Sequence, residues 1–186
     1  MNLKRVFLIS VIASLSIAAL VGIVIFLLGR FGETELRILL TTLFLGLFSL
    51  TALCCATLYE RQKAAPISLL GLLASAGALL MTLVVVWGDF EEDGIKIALI
   101  LGILAFSFAH VSLLLLPTIS SNAVQFIRSS TFFFIALVAG MLIYFILTDF
   151  RTYDGFFIRL IGVFSILDVL GTIVTPIAMK MTASKQ

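Results

Sequence analysis

Charged positions along this chain come in clusters at intervals, and long apolar runs fill the gaps between them. Val6 to Leu28 is uncharged, a second run follows Arg37 from Ile38 to Tyr59, and a third extends from Ala64 to Gly88. The fourth lies within Ile97 to Leu116, the fifth from Ser129 to Thr148, and the sixth from Leu160 to Met179 with one internal acid, Asp168. A membrane crossing takes about 20 mostly apolar residues, because roughly 30 Å of hydrocarbon is traversed at about 1.5 Å per residue. Each run is long enough to cross alone. A charge is costly in hydrocarbon and cheap at the headgroups, so this spacing predicts six membrane-spanning helices. Runs such as Leu79 to Trp87 do not alternate, which argues against a transmembrane β-barrel. The expected fold is an all-α integral membrane protein, a six-helix transmembrane bundle forming a single polytopic membrane domain over residues 1–186.

The turns at Gly29 to Glu35, Glu60 to Ala65, Asp89 to Gly94 and Asp149 to Tyr153 are short enough to set neighbouring helices antiparallel. The longest connection, Pro117 to Arg128, has Ser120, Ser121 and Asn122 at its centre and an amphipathic end at Val124, Phe126 and Ile127. It reads equally as a short interfacial helix or as a plain loop. Self-similarity suggests a further level of order. Phe48-Ser49, Phe106-Ser107 and Phe164-Ser165 place serines at the equally spaced positions 49, 107 and 165, each in an even-numbered span. Gly29-Arg30-Phe31, Gly88-Asp89-Phe90 and Thr148-Asp149-Phe150 mark the ends of the odd-numbered spans. Three successive helical-hairpin repeats with pseudo-threefold symmetry, 1–60, 61–120 and 121–186, would account for both sets. Coincidence in a chain with 17 phenylalanines would account for them too.

Composition agrees with the membrane assignment: 62% of residues are hydrophobic and only 12% are charged. A soluble domain carries about 25% charged residues. Membrane lipids are therefore the first expected partners, and a homo-oligomer or another membrane protein the macromolecular ones. Nucleic acid is excluded, because the 12 basic residues are scattered along the membrane margins and form no binding face. Lys4 and Arg5 before the first run resemble the start of a secretory signal. The run is longer than such a core, however, and no clear polar cleavage region follows Ala18 or Ala19. It is read as the first membrane helix.

Six crossings put both termini on one side. Lys4, Arg5, Arg61, Lys63, Arg128, Lys180 and Lys185 fall with them, against Arg30, Arg37, Lys96, Arg151 and Arg159 opposite. That bias favours cytoplasmic termini. The absence of organelle signals suits a prokaryotic cytoplasmic membrane.

Chemistry-bearing residues are few. Cys54 and Cys55 are adjacent and mid-span, which fits neither a spaced metal motif nor a secreted disulfide framework. No phosphate-binding glycine loop and no pair of histidines at ligand spacing occurs, so no cofactor and no bound metal are expected. The acidic turn Asp89, Glu91, Glu92 and Asp93 could attract cations electrostatically, although carboxylates alone do not make an ordered oxygen cage. Ser107 and His110 on one helix offer a weak nucleophile and base with no oxyanion site, so no catalytic residue is assigned. Small residues recur at helical spacing, Gly71, Ser75, Ala78 and Thr82 in the third span and Gly102, Ala105, Ala109 and Ser112 in the fourth. They read as helix contact faces.

The sixth span differs. Ser165, Asp168, Thr172 and Thr175 step by three, four and three residues and form one polar face. A mid-span carboxylate belongs in the bundle interior, hydrogen-bonded, paired or protonated. His110, the only histidine, is its natural partner, since a nearby carboxylate stabilises an imidazolium that burial alone disfavours. In the repeat register Ala52, His110 and Asp168 each lie three residues after Ser49, Ser107 and Ser165, which places His110 and Asp168 at similar depth. Two functions follow from these features: transport of protons or small cations along a polar path near Asp168 and His110, or a non-enzymatic membrane scaffold or accessory subunit with a structural His-Asp pair.

Overall fold

The computed structural model describes residues 32–61, 64–88, 91–117, 122–148 and 155–183 and scattered positions between 8 and 24, with backbone alone for 123, 176 and 178–183. The chain is all-α. The described positions between 8 and 24 belong to a first helix, α1, and are followed by α2 (Glu33–Glu60), α3 (Ala65–Trp87), α4 (Glu92–Leu115), α5 (Asn122–Leu147) and α6 (Gly155–Ala183). Helices α2 to α6 are each long and apolar enough to cross a membrane. Hydrocarbon offers no water to backbone N–H and C=O groups, so an apolar run of this length satisfies them internally as a helix. The protein is a multi-pass integral membrane protein. The rest of the first span, together with Lys4, Arg5, Arg30, Lys63, Asp149, Arg151, Asp154 and Lys185, lies outside the described residues.

Helix ends follow local chemistry. Extended Gly32 precedes α2, whose first turn carries Glu33 and Glu35, where the helix dipole favours acids. Arg37 reaches back one turn to Glu33 at 2.6 Å. Between α2 and α3 the chain reverses through Ala64, a non-glycine residue at φ 50°, in the sparsely occupied left-handed region. Pro66 then sits in the first turn of α3, where its missing N–H costs nothing. The end of the Pro117 to Arg128 connection forms neither a loop nor a separate interfacial helix. Its apolar positions are the first turns of α5, with Val124 buried and Phe126 exposed.

The chain packs as two compact units, residues 1–109 and 110–186, divided within α4. In the first, contacts pair Thr41 with Trp87, Thr51 with Ser75 and Cys55 with Gly71, a register that runs antiparallel along α2 and α3. Ser68, Gly71, Ser75, Ala78, Thr82 and Val86 are the buried face of α3. Small side chains there let the backbones approach. A Cβ on Gly71 would stand 3.0 Å from Phe108 Cβ and closer still to the Cys55 sulfur. Phe48, Ala78 and Ala105 form the core of this unit, with Phe44, Ala74, Leu79 and Leu101 packed around them.

In the second unit α5 and α6 are likewise antiparallel, with Thr131 against Gly171, Phe134 stacked on Phe164 at 6.1 Å and Phe145 on Phe157 at 6.4 Å. The opposite face of α6 presents Ile166, Val169, Leu170 and Ile173, exposed as lipid-facing residues are. The threefold repeat remains a reading of the sequence alone.

Candidate functional site

The side chains that come together are those of His110, near the end of α4, and of Asp168 and Thr172, one turn apart on α6. Periodicity sets the α6 part. Lipid takes the face at 166, 169, 170 and 173, so residues 165, 168, 172 and 175 turn inward on the other side. Gly171 allows the approach to α5. A Cβ there would collide with the Thr131 hydroxyl and lie 3.2 Å from Thr131 Cβ, and Thr131 is itself fully buried.

His110 Nδ1 lies 3.8 Å from Asp168 Oδ2, and both side chains are largely buried, at 17% and 15% exposure. That distance makes an ion pair when the imidazole is protonated, and it is too long for a hydrogen bond. The other ring nitrogen, Nε2, lies 2.7 Å from the Thr172 hydroxyl. Thr172 in turn donates to the backbone carbonyl of Asp168 at 2.9 Å. A hydroxyl has one hydrogen, so while it is held by the carbonyl, Nε2–H must be the donor to Thr172. Asp168 Oδ1 is buried and has no hydrogen-bond partner among the described residues. A buried carboxylate oxygen left in this way retains an unmet demand for a proton or another donor.

The other predicted residues fall as follows. Thr175 is buried and donates to Gly171 O at 2.7 Å, which satisfies it locally. Ser165 is half-buried one turn before Asp168 on the same side of α6. Ser107 is half-buried in α4, and Ser49 is buried in α2; both belong to the first unit. Glu91, Glu92 and Asp93 are exposed at the start of α4, where Glu92 pairs with Lys96 at 3.1 Å, and Asp89 lies outside the described residues. Among the described residues, no three His, Cys, Asp or Glu side chains gather as a metal set.

Arg128 was not singled out by its sequence position, which placed it at the end of a connection. It lies within α5, with its guanidinium 5.9 Å above the Phe132 ring and its Nε buried without a hydrogen-bond partner among the described residues. The antiparallel register that sets Thr131 against Gly171 brings Arg128 to the level of Thr172 to Thr175 on α6. Its spacing from Thr131, one turn along the same helix, was the available signal. Comparison with protein-family models, curated proteins and solved structures gives no match.

Proposed function

We propose that this membrane protein moves protons or small cations along a polar path on the inward side of α6, with Asp168 and His110 at its centre. One observation carries this reading: a mid-span carboxylate 3.8 Å from the only histidine, with its second oxygen buried and unpartnered among the described residues. Ionisable groups are expensive inside a membrane, and a structural pair is stabilised by satisfying every hydrogen-bonding atom. Here one atom is unsatisfied, as suits a group that exchanges its occupant. Ser165 and Thr175 extend the polar face by one turn on either side of Asp168 and Thr172. The setting in view is a cytoplasmic membrane with both termini inside.

The second reading, a scaffold or accessory subunit that binds another membrane protein or a second copy of itself, draws on the dense small-residue face of α3. There Thr51 and Ser75 hydroxyls meet at 3.0 Å in a buried contact that no transport path requires. Flux separates the two readings. In proteoliposomes of the parent protein, proton or alkali-cation flux is expected to exceed that of empty vesicles. In Asp168→Asn it is expected to fall on the order of tenfold or more, as loss of an acid-base group commonly does. Flux equal to empty vesicles for every cation tested rejects transport and leaves the scaffold.

A further inference from the structure

Building on the transport reading above, we propose that the species handled at this site is the proton, taken one at a time by the Asp168 and His110 pair, and that Thr172 selects Nδ1 as the imidazole nitrogen that exchanges it. The selection follows from hydrogen-bond arithmetic. Thr172 donates its one hydrogen to the Asp168 carbonyl at 2.9 Å, and its oxygen lies 2.7 Å from Nε2, a contact in which a hydroxyl so engaged can only accept. Nε2 is therefore held protonated. The lone pair of the neutral ring is then on Nδ1, the nitrogen that faces Asp168 Oδ2.

The cycle balances with water as donor and acceptor. With Asp168 ionised and His110 neutral, the pair carries one negative charge. A proton from water converts the Asp168 carboxylate to the acid, and the pair becomes neutral. Oδ2 and Nδ1, 3.8 Å apart at rest, then close to the distance of a charge-assisted hydrogen bond. The Nδ1 lone pair takes the proton while the O–H electron pair stays on the carboxylate. Loss of the Nδ1 proton to water on the other side restores the starting state. One proton enters and one leaves, and the loaded pair has no net charge, the form a low-dielectric interior favours.

The donor set disfavours a metal cation. A calcium or magnesium ion takes about six or more oxygens. Asp168 offers two, and Thr172 has its hydrogen and one lone pair already engaged. Few other charges among the described residues bear on the pair. On α5 the charged group is Arg128, level with Thr172 to Thr175; on α6 Arg159 lies more than two turns before Asp168; on α4 Glu92, Asp93 and Lys96 belong to its first turns, far along the helix from His110. Tyr144 on α5 packs ring to ring on Phe157 at 5.9 Å.

Because the chain has one histidine, selective ¹⁵N-histidine labelling reports on His110 alone. The full-length protein in phosphatidylcholine bilayers is titrated by solid-state NMR over about pH 4 to 9, the range that brackets an imidazole. At the alkaline end the neutral ring is expected to carry its proton on Nε2, and acidification to add the second on Nδ1. Thr172→Val is expected to move population to the Nδ1–H tautomer, whereas Thr172→Ser, which keeps the hydroxyl, retains the parent spectrum. A parent ring protonated on Nδ1 alone at high pH, or a spectrum unaffected by Thr172→Val, overturns the tautomer assignment. Proton, sodium and potassium fluxes are measured on the same vesicles. Asp168-dependent proton flux without alkali flux supports the proposal. Asp168-dependent sodium or potassium flux without proton flux overturns it while leaving the transport reading intact, and no flux of any of the three removes that reading as well.

Discussion

At the residue scale, Asp168 combines three properties that two substitutions can separate: charge, polarity and volume. Asp168→Asn keeps size and hydrogen-bonding capacity and removes the titratable charge, while Asp168→Leu removes both. Stability of the Asn variant, followed by thermal unfolding in detergent, is expected to stay within about 1 kcal/mol of the parent, and the Leu variant to lose about 1 to 3 kcal/mol by stranding polar groups near His110. Equal loss in both would mean that the carboxylate charge itself holds α6 in place. The pair also predicts a shared pH signature. Between about pH 5 and 8 the pH dependence of parent stability is expected to differ from that of both His110→Ala and Asp168→Asn. Superimposable profiles for all three proteins would dissolve the pair as a titrating unit.

At the element scale, the site depends on how closely α5 and α6 approach. Gly171 lies one turn beyond Asp168 and next to Thr172, and an added methyl meets the Thr131 side chain, itself buried and donating to Ile127 O at 2.9 Å. Gly171→Ala is expected to cost about 1 to 3 kcal/mol by overpacking. Thr131→Ala removes the hydroxyl in the way, so the double variant is expected to recover part of that loss, and a thermal melt of the four proteins measures the coupling. Strict additivity would show that the two helices separate freely at this point. The small face of α3 works by the same physics in the first unit, where Gly71 sits against Cys55 and Phe108.

At the scale of the whole molecule, five described helices are long and apolar enough to cross, and one further helix stands at the start of the chain. If that helix is a sixth crossing, both ends lie on the same side, and the lysine and arginine distribution in the sequence predicts the cytoplasm for that side. An epitope tag at either end is therefore expected to resist labelling in intact cells and to react after permeabilisation. Labelling of one end only in intact cells would mean an odd number of crossings, and labelling of both would invert the topology.

Membrane residence and helical class were legible in the chain, because hydrocarbon imposes a length and an apolar composition on every crossing, and both are properties of consecutive residues. So was the inward face of α6, since a period of about 3.6 sorts Asp168, Thr172 and Thr175 from Ile166, Val169 and Ile173 without reference to any neighbour. The α3 contact face at Gly71, Ser75, Ala78 and Thr82 was legible for the same reason. Helix ends were less so: the start of α5 at Asn122 drew in residues that read as a connection, because a polar cluster such as Ser120 to Asn122 signals a boundary without fixing its position. What only the tertiary structure decided is which atoms meet. Sequence named His110 and Asp168 as partners, but the 3.8 Å gap, the bond from Nε2 to Thr172 and the unpartnered Oδ1 depend on how α4 and α6 are rotated and set in depth. Those are relations between residues distant in the chain, and local periodicity carries no information about them.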